Sequence, residues 1–287
     1  MPSYLITGAD GQLGQCFRAV EEEFPHHQLI FANRREVDLI HLETLQNCFD
    51  KHPFVGIINC AAYTQVDRVE AEYQKAQKIN VELVQNLVIF AQEKSISLVH
   101  FSTDYVFDGM TSVPYKENDI CSPINKYGQS KYDGELRLEK AKTPHTTIRI
   151  SGLFSPFGEN FVKTILKLSE TNQCLKVVND QWVRPTYGID LARFVLSNIS
   201  KSTFFHYNHY HYAQHGINTW YEFAKKIIDL NLSSVNLKAC TTEEYPAVAK
   251  RPKYSVLDTT RIENHLSLRP LTLEATLEDC IKRIQTL

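Results

Sequence analysis

Tyr4-Leu5-Ile6-Thr7-Gly8-Ala9-Asp10-Gly11-Gln12-Leu13-Gly14 decides the fold of this 287-residue chain. Its first four residues form a short apolar run that reads as a buried strand. Gly8, Gly11 and Gly14 follow at intervals of three, and Gln15-Cys16-Phe17-Arg18-Ala19-Val20 continues at helical period. Strand, glycine loop and helix in that order make an anion site. Glycine permits the tight turn and leaves the backbone bare, while the start of the helix offers unpaired N–H groups at the positive end of its dipole. The pyrophosphate of a dinucleotide is the expected ligand, with Gly8, Asp10, Gly11, Gln12, Leu13 and Gly14 forming its cradle.

Working outward, Leu29-Ile30-Phe31-Ala32 reads as a second strand ending at Asn33-Arg34-Arg35. An acidic residue there would accept from an adenosine 2′-hydroxyl, whereas arginine suits a 2′-phosphate. Arg34 therefore points to NADPH, with NADH as the alternative and a solvated turn as the bland reading. Asp38 and Leu39 fall close to where the adenine would lie. A third strand, Gly56-Ile57-Ile58-Asn59-Cys60, ends in Ala61-Ala62, whose small side chains leave room for a ribose.

Val99-His100-Phe101-Ser102-Thr103 reads as a further buried strand with hydroxyls at its carboxyl end, the edge where open α/β sheets bind ligands. Pro123-Ile124-Asn125 then leads into a helical stretch carrying Tyr127 and Lys131. Residues four apart share a helix face, so both side chains can address one ligand. Reduction of a ketone needs a hydride at carbon and a proton at oxygen. Tyr127 is the expected proton donor, Lys131 the charge that favours its phenolate and reaches the nicotinamide ribose, and Thr103 the hydroxyl that holds the carbonyl.

The glycine spacing is similar to that of the short-chain dehydrogenase/reductase superfamily. Within it, the chain resembles the dTDP-4-dehydrorhamnose reductases almost end to end. The matching segments are Thr7 to Gly14, Asn59-Cys60-Ala61-Ala62-Tyr63-Thr64-Gln65-Val66-Asp67, Ser102-Thr103-Asp104-Tyr105-Val106-Phe107-Asp108-Gly109 and Pro123 to Lys131. Later come Asn179-Asp180-Gln181 with Arg184-Pro185-Thr186, and Arg251-Pro252 with Ser255-Val256-Leu257. The resemblance implies a catalytic trio of Thr103, Tyr127 and Lys131. It also implies a cofactor wall of Gly11, Gln12, Leu13, Asp38, Leu39, Ala62, Tyr63, Thr64 and Phe101, and sugar contacts from Thr103 and Asp104. Related dehydratases carry an acid directly after Thr-Asp. Tyr105 stands there in this chain, which favours simple reduction.

Two positions depart from that pattern on the substrate side. Gly152 stands where relatives often carry a tryptophan that covers the sugar-nucleotide, and Arg184 occupies a position usually small. Together they suggest an enlarged pocket with an added cation, suited to a related keto sugar of the 6-deoxytalose or streptose type. The leading expectation remains NADPH-dependent reduction of the 4-keto group of dTDP-4-dehydro-L-rhamnose to dTDP-L-rhamnose, a step in cell-surface polysaccharide biosynthesis. A non-catalytic nucleotide-binding regulatory subunit is the competing class, since such a protein shares the fold family. The resemblance also implies a homodimer and a Mg2+ at a subunit contact, for which the sequence offers no definite ligands.

Alternating apolar strands and helical stretches predict an α/β fold, a Rossmann-type doubly wound parallel sheet with a smaller, interleaved substrate-binding domain. The expected dinucleotide-binding domain is 1–150 with a return near 176–203, leaving 151–175 and 204–287 mainly to substrate. Lys and Arg total 31 against 33 Asp and Glu, a net charge of −2 that gives no basic stripe for nucleic acid. No apolar run reaches membrane-span length, Met1-Pro2-Ser3 runs directly into the first strand, and the seven cysteines form no Cys-x-x-Cys. These features lead us to expect a cytoplasmic protein with reduced thiols. His206-Tyr207-Asn208-His209-Tyr210-His211-Tyr212 invites a metal reading, with His209 and His211 on one strand face. No metal is assigned, because zinc sites draw ligands from separate elements and the run reads equally well as an aromatic-rich strand.

Overall fold

The computed structural model describes all residues from Met1 to Leu287. The opening run is the buried strand β1 (Ser3–Thr7), and the glycine loop delivers the chain into helix α1 (Gln12–Ala19). Next come β2 (Gln28–Ala32), β3 (Gly56–Asn59), α2 (Leu83–Lys94), β4 (Ser97–Thr103), α3 (Lys126–Leu138) and β5 (His145–Ile150). Far later, α4 (Gly188–Asn198) and β6 (His209–Tyr212) return to the same layer structure. The six strands lie in the order β6-β5-β4-β3-β1-β2, all parallel. The chain reverses direction across the sheet beside β1, so a ligand crevice opens beyond the carboxyl ends of β1 and β3.

Alternation sorts each strand between two cores. Tyr4, Ile6, Ile58, Val99, Phe101 and Ile148 join one cluster with α1 and α4, while Leu5, Ile57 and Leu98 join a second with α2. Burial on both faces explains why these strands are nearly continuous apolar runs.

The substrate side is assembled from short pieces. Cys174–Val178 pairs in parallel with Asn236–Cys240 and Leu153–Phe154 in parallel with Thr186–Tyr187, while Trp182–Val183 runs antiparallel to Asn218–Thr219. The expected return near 176–203 contributes α4 to the cofactor domain. The strand that completes the sheet is β6, which lies within 204–287, the range expected to go mainly, not wholly, to substrate. The aromatic side chains of β6 are the reason it joins the sheet: Tyr210 and Tyr212 bury completely against the α4 core.

Candidate active site

The glycine loop is shaped by contacts that tolerate no side chain. Gly8 adopts φ +62°, and a Cβ there would lie 2.7 Å from the Ala61 nitrogen at the end of β3. A Cβ on Gly14 would meet the Gly8 carbonyl oxygen at 2.4 Å. The Gly11 N–H closes the loop onto the Gly8 carbonyl at 2.9 Å, and no side chain caps the helix that follows. Bare backbone and a free helix N-terminus fit a dinucleotide pyrophosphate. Gln12 ties this loop to the substrate side by donating to the Leu153 carbonyl at 3.3 Å. Asp10 is exposed, Leu13 is buried, and Arg34 is exposed just beyond β2, whose end meets the loop where the Ala9 N–H donates to the Ala32 carbonyl.

Other expected wall residues fall into different roles. Leu39 is buried in the second core, its carbonyl held by Asn86, and Asp38 caps the turn at Ile40. Phe101 is buried, and its carbonyl accepts from Lys131 Nζ at 2.7 Å. Ala61, Ala62 and Tyr63 are partly exposed and Thr64 is open to solvent. Asn80, which sequence reading missed, fixes this loop: its Oδ1 accepts from the Tyr63 N–H, and its amide donates to the Tyr63 carbonyl and to Ser130 Oγ. Asn80 sits in a one-turn π-helical segment, Lys78–Glu82, a backbone irregularity that no residue pattern announces.

Asn125 starts α3 by accepting from the Gly128 N–H at 2.7 Å, which aims Tyr127 and Lys131 at the carboxyl edge of β4. Thr103 Oγ1 donates to Asp104 Oδ1 at 3.0 Å, and Ser151 Oγ donates to Asp104 Oδ2 at 2.7 Å. Burial pushes the Asp104 carboxyl up to about 6, although hydrogen bonds from Ser255, Ser151 and Thr103 favour its ionised form. Tyr105 meets the Tyr127 ring edge-on, with centroids 6.0 Å apart.

The electrostatics of Tyr127 correct the expectation from spacing. Burial of its ring holds the phenol above its ordinary value. The Thr103 hydrogen bond favours phenolate, while the neighbouring Asp104 opposes it. Lys131 does not reverse this, because its ammonium is turned to the Phe101 carbonyl. Burial lowers Lys131 to about 8, with Glu135 acting in the other direction. Behind Lys131, Glu135 is fully buried against Arg149, with Nη2 to Oε2 at 2.7 Å. Burial alone would raise this carboxyl, but Arg149 and His209 outweigh it and hold it well below the usual range.

Both substrate-side departures are also corrected. Gly152 takes φ +49°, and a Cβ there would meet Cη2 of Trp220 at 3.3 Å and Cγ2 of Val183 at 3.4 Å. The indole of Trp220 therefore occupies the space beside Gly152 that was read as an enlargement. Trp220 is the first residue of its helix and is placed by a capping box between Thr219 and Glu222. Arg184 is not an added cation facing an open pocket. Its guanidinium donates to the carbonyls of Gln214 and Leu257, and Nη2 lies 3.2 Å from His215 Nδ1 and 3.8 Å from Glu263. His209 and His211 share a strand face as alternation requires, and both face the Glu135–Arg149 pair.

The doubly wound sheet, the glycine cradle and the Thr103/Tyr127/Lys131 edge define a Rossmann-type reductase of the extended short-chain dehydrogenase/reductase class. The model of the family described as "RmlD substrate binding domain" matches residues 3–286. A dTDP-4-dehydrorhamnose reductase from Aggregatibacter actinomycetemcomitans is 35% identical over 97% of this chain and 98% of its own. The crystal structure of such a reductase from Clostridium acetobutylicum superposes with a TM-score of 0.93 at 36% identity, covering 99% of both chains. One from Bacillus anthracis, solved in complex with NADP, gives 0.92 at 35% identity over 98% of this chain and 99% of that one. The chain belongs to the dTDP-4-dehydrorhamnose reductase family.

Proposed function

We propose that this protein reduces the 4-keto group of dTDP-4-dehydro-L-rhamnose to give dTDP-L-rhamnose, with NADPH as reductant. The observation that carries this reading is that Thr103, Tyr127 and Lys131 meet at the sheet edge that also bears the glycine cradle. Gly8, Gly11 and Gly14 would hold the pyrophosphate, Arg34 the 2′-phosphate, and Lys131 the nicotinamide ribose. Bound there, NADPH supplies the hydride that goes to the keto carbon.

The chain's own residues handle the proton. A phenol held above its ordinary value stays protonated at neutral pH, the state a donor requires in the reducing direction. Tyr127 gives its proton to the keto oxygen. The phenolate that remains is supported by the Thr103 hydroxyl, which turns to it from Asp104. Thr103 and Asp104 hold the sugar, and Ser151 fixes Asp104. With Trp220 beside Gly152 and Arg184 already paired, the two features that had suggested a different keto sugar no longer favour one. A homodimer and a divalent ion at its contact remain part of the proposal through family resemblance. No helix is long and apolar enough to cross a membrane.

The test is NADPH absorbance on addition of enzymatically generated dTDP-4-dehydro-L-rhamnose, with the product identified by NMR. Consumption with formation of dTDP-L-rhamnose is expected. NADPH binding without consumption of any 4-keto sugar would instead indicate a regulatory nucleotide-binding subunit.

A further inference from the structure

We propose that His100 is a positioning residue that sets the acidity of Lys131 by presenting it with an N–H rather than a lone pair. The inference deepens the functional reading above and rests on Lys131 acting in that site. It begins at the backbone. The Ala61 N–H donates to Asn59 Oδ1 at 3.2 Å, and the Thr7 hydroxyl donates to the same oxygen at 2.7 Å. A backbone N–H can only donate, so the Asn59 amide is locked with its oxygen toward Ala61. Its NH2 group then faces the His100 ring, with Nδ2 3.0 Å from Nδ1.

Nδ1 must therefore accept, and the single proton of a neutral imidazole resides on Nε2. Nε2 lies 3.4 Å from Lys131 Nζ. Two donors oppose each other there when Lys131 is an ammonium, whereas a neutral amine accepts from Nε2–H. Thr7, Asn59, His100 and Lys131 are exposed by 0%, 1%, 1% and 2%, so bulk water does not relieve the conflict. Burial and the neighbouring Lys131 charge keep His100 neutral.

The other groups around Lys131 do not make this contact. Its own helix brings Tyr127 and Glu135, and the turn after β4 brings Asp104 and Tyr105. β5 brings Arg149, and β6 brings His209 and His211 around Glu135. Of all these, His100 is the one whose side chain reaches hydrogen-bonding distance of Nζ. His211 provides an internal contrast. Its Nδ1 lies 3.1 Å from the Tyr115 carbonyl and so carries the proton, leaving the Nε2 lone pair toward Arg149 Nη1 at 3.5 Å. One buried histidine accepts toward its cation, and the other donates toward it.

The experiment is heteronuclear NMR of the full-length protein with labelled histidine and lysine, His100 and Lys131 being assigned through His100→Gln and Lys131→Met. Wild type should show the Nε2–H tautomer at His100. Asn59→Asp replaces the NH2 with a carboxylate oxygen, which should move the proton to Nδ1 and raise the Lys131 midpoint by about one pH unit. The double variant Asn59→Asp/His100→Gln carries the new charge without an imidazole and should show a smaller rise. An Nδ1–H tautomer in wild type, or an equal rise in the double variant, would overturn the proposal. If Asn59→Asp fails to fold, the wild-type tautomer alone decides. Full turnover by Lys131→Met would remove Lys131 from the reaction while leaving the tautomer measurement intact, so the two failures are distinguishable.

Discussion

Glycines do opposite jobs in the two halves of the cleft. In the cofactor half, Gly8 and Gly14 exist so that backbone can touch backbone, and a Cβ on Gly14 would lie 2.4 Å from the Gly8 carbonyl oxygen. In the substrate half, Gly152 faces side chains instead, with Cη2 of Trp220 and Cγ2 of Val183 at 3.3 and 3.4 Å from where a Cβ would lie. The first half is fixed by the shape of the chain itself and the second by side chains brought from far along it. Rigidity of this kind suits a cofactor whose phosphates must meet backbone N–H groups.

Gly14→Ala should break the cofactor half most severely. Because backbone on both sides must move, we expect a loss of about 4 kcal/mol or more in stability, read by denaturant unfolding. Glu135→Gln should come next. It leaves Arg149 buried without its charge partner, at a cost of about 3–5 kcal/mol in the same assay.

Asp104→Asn sharpens the comparison, because this substrate-side carboxyl opposes folding at neutral pH. Folded Asp104 keeps its proton up to about pH 6, against 3.8 ordinarily, so the folded chain binds more protons in that window. Its contribution to stability therefore falls as pH rises through the window. The variant should gain about 1–3 kcal/mol at pH 7 while losing turnover on the keto sugar. Gly152→Ala should have the smallest effect. The left-handed backbone costs about 1 kcal/mol, and kcat should hold while KM for the sugar-nucleotide rises modestly.

The same contrast governs what could be read from the residues alone. Strand, glycines and helix at the N-terminus are contiguous, so spacing revealed them. Tyr127 and Lys131 are one helical turn apart, so periodicity placed them together. The substrate wall is different: Ser151 reaches Asp104 across 47 positions, and Arg184 reaches Leu257 across 73. No local pattern encodes such pairs. Gly152 and Arg184 were therefore misread as an enlarged, charged pocket, because Trp220 and the Gln214 and Leu257 carbonyls could not be foreseen as their neighbours. β6 was legible as an aromatic-rich strand, but its pairing with β5 joins positions about sixty residues apart, which no local pattern encodes. The Tyr127 phenol was misjudged because helical spacing reports a shared face, while the direction of the Lys131 ammonium depends on the Phe101 carbonyl.

Rate and stability should part company in alkali. Lys131 loses its proton near pH 8 when folded, against 10.5 ordinarily, so the unfolded chain binds more protons between those values. Its contribution to stability rises with pH across that range while turnover falls, and Lys131→Met should remove that component of the stability rise.

The most direct measurement of the central claim is single-turnover NADPH oxidation by wild type and Tyr127→Phe with dTDP-4-dehydro-L-rhamnose, with NADPH affinity determined in parallel. The account predicts dTDP-L-rhamnose from wild type and a loss of rate on the order of 1000-fold in the variant, with cofactor affinity nearly unchanged. A variant that turns over at the wild-type rate would contradict it.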